Sequence, residues 1–239
     1  MGKHQSNVPI KQSVVSVELT SDMNNVAFFV YSRDEMKLKD KSTSFTLASQ
    51  SPRRRLLLKQ IGFKFTVRPS FVVERLIKGE TPARSVRRLA LEKARDVAGR
   101  AKRGIVVGAD TIVVSGRRVL GKPKNEREAG KMLLSLSGKW HSVFTGFALV
   151  DAESGRFTSE VVQTRVLFRR VTKDEVAKYV ASGSPLDKAG AYGIQDDYGA
   201  VFVEEVQGCF YNVVGFPLSR FLVRFSEFVN KPIDHLVDH

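Results

Sequence analysis

Cysteine is almost absent: one residue, Cys209, in a chain of 239. It cannot close an intrachain disulfide or build a cysteine-rich metal cluster, and it fits a reducing compartment, which points to the cytoplasm. Long apolar runs are missing as well. The stretch Val26–Tyr31 falls far short of the ~20 residues a transmembrane helix needs, so no membrane span is expected. The glycine patterns of the better-known nucleotide folds are lacking: there is neither G-x-x-x-x-G-K-[ST] nor a G-x-G-x-x-G after the first strand, which excludes kinase, P-loop and dinucleotide-binding readings. Internal repeats and long low-complexity linkers are absent after residue 45, so a single continuous domain is expected there.

What is present is charge of one sign. Lys and Arg number 39 against 25 acidic residues, a net +14, which draws anionic partners such as nucleic acid, nucleotides or acidic membrane without choosing among them. Residues 1–43 are polar and Ser/Lys-rich and read as an extension to a domain spanning 44–239. The extension has no signal-peptide pattern, although Gly2 and Ser6 match an N-myristoylation signal.

From Phe45 short apolar runs alternate with amphipathic stretches, the mark of an α/β domain. The pattern predicts a strand over Phe45–Ala48, then a helix capped by Ser51 with Pro52 at its first position and Leu56, Leu57 and Ile61 inward. A second strand is expected over Phe63–Val67 and a helix from Thr81-Pro82. Ile105–Val107 reads as a buried strand, with Thr111–Val114 and Val119–Leu120 as a separate hairpin. Asn125 with Glu128, and Thr172 with Glu175, have capping-box spacing. Trp140–Val150 and Thr158–Phe168 form an antiparallel pair, making the sheet mixed, and Leu218, Phe221, Leu222 and Phe225 form the buried stripe of a last helix.

Several segments can carry chemistry. Leu47-Ala48-Ser49-Gln50-Ser51-Pro52-Arg53-Arg54 gathers free N–H groups, hydroxyls and guanidinium groups at a helix N-terminus, an anion site. Cations are unfavourable there unless an anion accompanies them. Asp110, in Gly108-Ala109-Asp110-Thr111, is expected just beyond a strand end, where carboxylates of α/β sheets meet ligands. Lys122, between Gly121 and Pro123, suits a phosphate contact, and Glu74 can supply a second carboxylate. His141 has no ligand partner at metal-binding spacing and is read as structural. Asp187-Lys188-Ala189-Gly190-Ala191-Tyr192-Gly193-Ile194-Gln195 combines small residues with hydrogen-bonding groups of every type, a loop suited to close contact with a ligand.

Seven such pieces in register over about 170 residues resemble the Maf family of nucleoside triphosphate pyrophosphatases: those above, together with Leu89-Ala90 and Lys93-Ala94, Ser137-Gly138 with His141 and Thr145-Gly146, and Asn212-Val213-Val214-Gly215 with Pro217. The resemblance covers about Phe45–Phe228. It implies a mixed sheet flanked by helices, Maf/ITPase-like, with an active-site cleft between two lobes, and hydrolysis of a triphosphate between its α and β phosphates with Mg²⁺ or Mn²⁺. It also implies a homodimer. In family terms Asp110, Glu74 and Lys122 are the catalytic group, with Asp110 the proton acceptor and Asp110 and Glu74 the metal ligands. Ser49, Arg53, Arg54, Lys93, Thr111 and Gln195 bind substrate. Arg53, Thr111 and Gln195 match the branch acting on dTTP and UTP rather than the one preferring 7-methyl-GTP. Departures from the family pattern are Val73 where Asp is frequent, Phe216 for Leu, and Asp196 for Gly. The competing reading is a basic nucleic-acid-binding or cell-division regulatory protein that keeps the fold; the carboxylates and Gln195 would then be unnecessary, so nucleic acid is not the expected partner.

Overall fold

The computed structural model describes residues 44–195, 198–233 and 236. The extension 1–43, with the Gly2 signal and the Val26–Tyr31 patch, lies outside them, as does Asp196. The described chain is built on a seven-stranded mixed sheet: β1 (Phe45–Leu47), β2 (Thr66–Val67), β3 (Ile105–Ser115), β4 (Arg118–Leu120), β5 (Trp140–Asp151), β6 (Phe157–Phe168) and β7 (Val203–Gln207). Their order is β2-β1-β3-β5-β6-β7, with β4 folded back on β3; β1 is parallel to both its neighbours and the remaining pairs are antiparallel.

One face of the sheet carries helix α2 (Pro82–Ala98), capped by Thr81. The contact is close because glycine faces it: a Cβ at Gly108 would stand 2.2 Å from the Ala90 carbonyl oxygen, and one at Gly146 2.4 Å from that of Val86. Ala48, Ala90, Ala94, Ala98 and Ala148, with Val97, Val106 and Val150, fill the rest of this layer. The opposite face holds the larger core. Helix α1 (Pro52–Gln60) adds Leu57 and Leu58 to it, and the last helix, α6 (Leu218–Val229), packs Phe221 and Phe225 against Phe45 of β1 and Phe63; neighbouring rings of this group lie 4.9–5.5 Å apart, spacings favourable for edge and tilted aromatic contacts. Helices α3 (Glu126–Leu136) and α4 (Lys173–Ala181) pack together further along. A short helix, α5 (Phe210–Val214), precedes α6.

The mixed sheet, the caps at Ser51, Thr81 and Thr172, and the stripe of α6 agree with the sequence pattern. Four local expectations are corrected. Leu57 is buried as expected, but Leu56 is 66% exposed, and α1 buries Arg54 and Leu58 in its place; the inward stripe starts from an arginine, which a search for apolar spacing passes over. The second strand has two residues, because Phe63 turns into the core rather than pairing. Thr111–Val114 does form a hairpin with Val119–Leu120, but it continues the strand of Ile105–Val107: β3 runs unbroken over eleven residues, since β5 pairs with it from Ile105 to Val114. Glu128 accepts from the Lys124 N–H rather than from that of Asn125, so the reciprocal half of a capping box is missing there.

Candidate active site

The unbroken β3 moves Asp110 from a strand end to mid-strand, yet leaves it beside an opening. Parallel pairing with β1 stops at Val107, and β4 joins β3 only from Val113. Between those points the β1-side edge of β3 has no strand partner among the described pairs. Asp110 therefore lies just past the end of β1, not of its own strand, at a place where α/β sheets commonly bind ligands.

Arg54 fills part of that gap. Its Nη1 donates to the Ala109 carbonyl (3.0 Å) and to Ser49 Oγ (3.2 Å), Nε to the Gly215 carbonyl (3.0 Å) and Nη2 to Thr111 Oγ1 (3.0 Å). Burial pulls its pKa below the ordinary guanidinium value, and Asp110 and Glu74 oppose that; an arginine stays charged all the same. Thr111 Oγ1 also meets Thr145 Oγ1 at 3.0 Å. Asn212, wholly buried, fixes α5 by donating to the Val143 carbonyl and Thr164 Oγ1. It thereby holds the Gly215 carbonyl against Arg54, giving the Asn212–Gly215 motif a physical reason.

On the α2 side of β3, Lys93 Nζ lies 2.6 Å from Asp110 Oδ1 and 2.6 Å from Glu74 Oε1. Burial disfavours the Glu74 carboxylate, but Lys93, then Lys122 and Arg54, hold its pKa below the usual carboxylate range. Two carboxylates that converge on one cation also suit a hard divalent ion. No group of three or more His, Cys, Asp or Glu side chains that could hold a metal occurs among the described residues, so such an ion would complete its shell with water and phosphate oxygens, as Mg²⁺ usually does.

These groups line a cleft of about 480 Å³. All nine residues singled out from the sequence line it: Ser49, Arg53, Arg54, Glu74, Lys93, Asp110, Thr111, Lys122 and Gln195. Ser70, Asp187, Lys188 and Tyr192 line it too, without having been assigned a role. Ser70 carries no sequence signal; the other three belong to the loop of small and polar residues from Asp187 to Gln195. That loop is docked by the Gly190 N–H on the Gly121 carbonyl (3.0 Å), with Gly190 at φ 73° close against Val113. Five cations, Arg53, Arg54, Lys93, Lys122 and Lys188, face three carboxylates, Glu74, Asp110 and Asp187, a field that favours a polyanion. His141 does not line the cleft; it is buried, with Nε2 2.8 Å from Tyr192 Oη, as its structural reading expects.

Known proteins resemble the chain over this same region. The family profile of the Maf-like protein matches residues 44–228. A dTTP/UTP pyrophosphatase of Gloeobacter violaceus is 47% identical over 182 residues, 76% of this chain and 94% of that protein. Proteins of the same name from Moorella thermoacetica and Aquifex aeolicus are 48% and 45% identical, over 74% and 73% of this chain and 91% and 90% of theirs. Among solved structures, a HAM1 protein from Coxiella burnetii is similar at a TM-score of 0.43 and 16% identity, covering 79% of this chain and 98% of that one.

Proposed function

The chain belongs to the Maf-like protein family, and on that premise we propose that it hydrolyses nucleoside triphosphates, dTTP and UTP foremost, to the monophosphate and pyrophosphate. The observation that carries the proposal is the pair of carboxylates, Asp110 and Glu74, joined through Lys93 within a cleft whose other charged groups are mostly cationic. Water attacks the α-phosphorus, the bond to the bridging oxygen breaks and pyrophosphate leaves. Asp110 accepts the proton of that water. Lys93 and Lys122 neutralise the phosphate chain, while Arg54, with four N–H groups committed to protein acceptors, acts chiefly as a rigid positive floor. Asp110 and Glu74 would hold Mg²⁺ or Mn²⁺, an ion that offsets charge on the leaving group when bound.

Gln195 is exposed in the cleft lining. Its amide can donate to a pyrimidine O4 and accept from N3–H, which matches uracil and thymine and mismatches cytosine. The relatives named dTTP/UTP pyrophosphatase support the same choice. Phe71, Val73, Leu76 and Ile77 fall within one short stretch of chain and are each more than half exposed, as apolar side chains that a subunit interface covers are, and we include a homodimer in the proposal.

The test is pyrophosphate release from dTTP, UTP, CTP, ATP, GTP and 7-methyl-GTP with Mg²⁺, beside Asp110→Asn, with sedimentation for the dimer. Turnover of dTTP and UTP that vanishes in the variant supports the reading. A wild-type protein that cleaves none of the six overturns it.

A further inference from the structure

Arg53 and Arg54 are neighbours in sequence with different surroundings. Arg54 is spent on the floor of the cleft, whereas Arg53 reaches across to the loop that carries Gln195. Its Nη1 donates to Asp187 Oδ2 (2.9 Å) and its Nη2 to the Asp187 carbonyl (3.3 Å). One residue thus grips the guanidinium at two points, through side chain and main chain, which fixes its plane. Asp187 is itself held: its Oδ1 accepts from Lys188 Nζ (2.7 Å), and that buried ammonium is tied to the Ser184 hydroxyl. The contact joins residues 134 apart in sequence, and the Asp187 side chain is 54% exposed. An ion pair so exposed contributes little stability, so its effect lies in orientation.

The geometry points to Asp187 as a positioning residue for base selection: by clamping Arg53 it fixes this arginine relative to Gln195, on Asp187's own loop, so that both present hydrogen-bonding groups to one pyrimidine ring. The inference rests on the pyrophosphatase reading above. Two of the five guanidinium N–H groups are used by Asp187; the remaining three can only donate. A donor-only group held at the cleft favours bases whose edge presents carbonyl oxygens, uracil and thymine, and opposes the amino group of cytosine. Without the clamp Arg53 swings on a flexible stem, and discrimination falls before chemistry does.

The experiment measures kcat and KM of the full chain for dTTP, UTP and CTP in the wild type, Asp187→Ala, Asp187→Glu, Arg53→Ala and the Arg53→Ala/Asp187→Ala double variant, with thermal melts of each. Asp187→Ala is expected to raise KM for dTTP about tenfold with kcat changed less than about threefold, and to lower the dTTP over CTP preference in kcat/KM about tenfold. Asp187→Glu restores part of both. In the Arg53→Ala background the Asp187 change adds nothing, because it acts through Arg53. An active wild type with KM and preference unmoved in Asp187→Ala, or additive effects in the double variant, overturns the clamp alone. A wild type silent on every triphosphate overturns the pyrophosphatase reading and the clamp with it.

Discussion

Lys93 and Asp110, on α2 and β3, form an ion pair at 2.6 Å with both side chains nearly buried, 10% and 6% exposed. Glu74, on an exposed segment, joins the same ammonium at an equal distance. The proposed proton acceptor and the cation proposed to neutralise phosphate are therefore one unit, and its parts are mutually dependent.

Removing the cation tests that dependence. Lys93→Met strands a buried carboxylate, and breaking a buried pair from one side costs about 3 kcal/mol. Urea denaturation is expected to register this as a lower midpoint, with pyrophosphate release also reduced. An unchanged midpoint would show that Asp110 is wetter than its burial implies.

Arg54→Lys is not a conservative change here. A lysine can replace one of the four contacts to Gly215, Ala109, Ser49 and Thr111, leaving buried acceptors unpaired at a cost of roughly 2–3 kcal/mol. Thermal melting should show the loss in the absence of nucleotide, which separates this effect from any weakening of substrate binding.

The seat of α2 can be tested by adding one methyl group. Gly108→Ala and Gly146→Ala push backbone atoms of α2 off the sheet and are expected to destabilise by about 2 kcal/mol or more, with activity lost as Lys93 moves. Gly130→Ala, on a helix with only a Val176 methyl at 3.8 Å, should instead stabilise by about 0.5–1 kcal/mol. Equal effects at all three positions would refute the close approach.

His141 predicts an acid limb in stability. Burial pulls its pKa down to about 4 from 6.5. Above pH 6.5 the ring is neutral in both folded and unfolded chains. As pH falls towards 4 the unfolded chain takes up a proton that the native site refuses, and stability drops by on the order of 3 kcal/mol. The wild-type minus His141→Gln difference in unfolding free energy should carry that slope between pH 6.5 and 4; a flat difference would mean that the native ring protonates as freely as the unfolded one.

The alternation of strand and helix, the caps and the site segments were legible because each rests on local chemistry: Ser51 with Pro52, Thr172 with Glu175, and Asp187–Gln195 with its small residues. Leu56 was misread because α1 turns a buried arginine inward, and periodicity counts apolar residues only. Asp110 was assigned to the right opening for a wrong reason, since the strand that ends there is β1.

By itself the sequence singled out residues that line the cleft and marked where helices begin, since capping and patterning act within a few residues of the chain. Tertiary structure alone decided their division of labour. Arg53 and Arg54 have the same side chain and adjacent positions, yet one is gripped by Asp187 and the other is sunk among Ser49, Ala109, Thr111 and Gly215. Those partners come from distant parts of the chain, and long-range packing, which local sequence does not encode, selects among them.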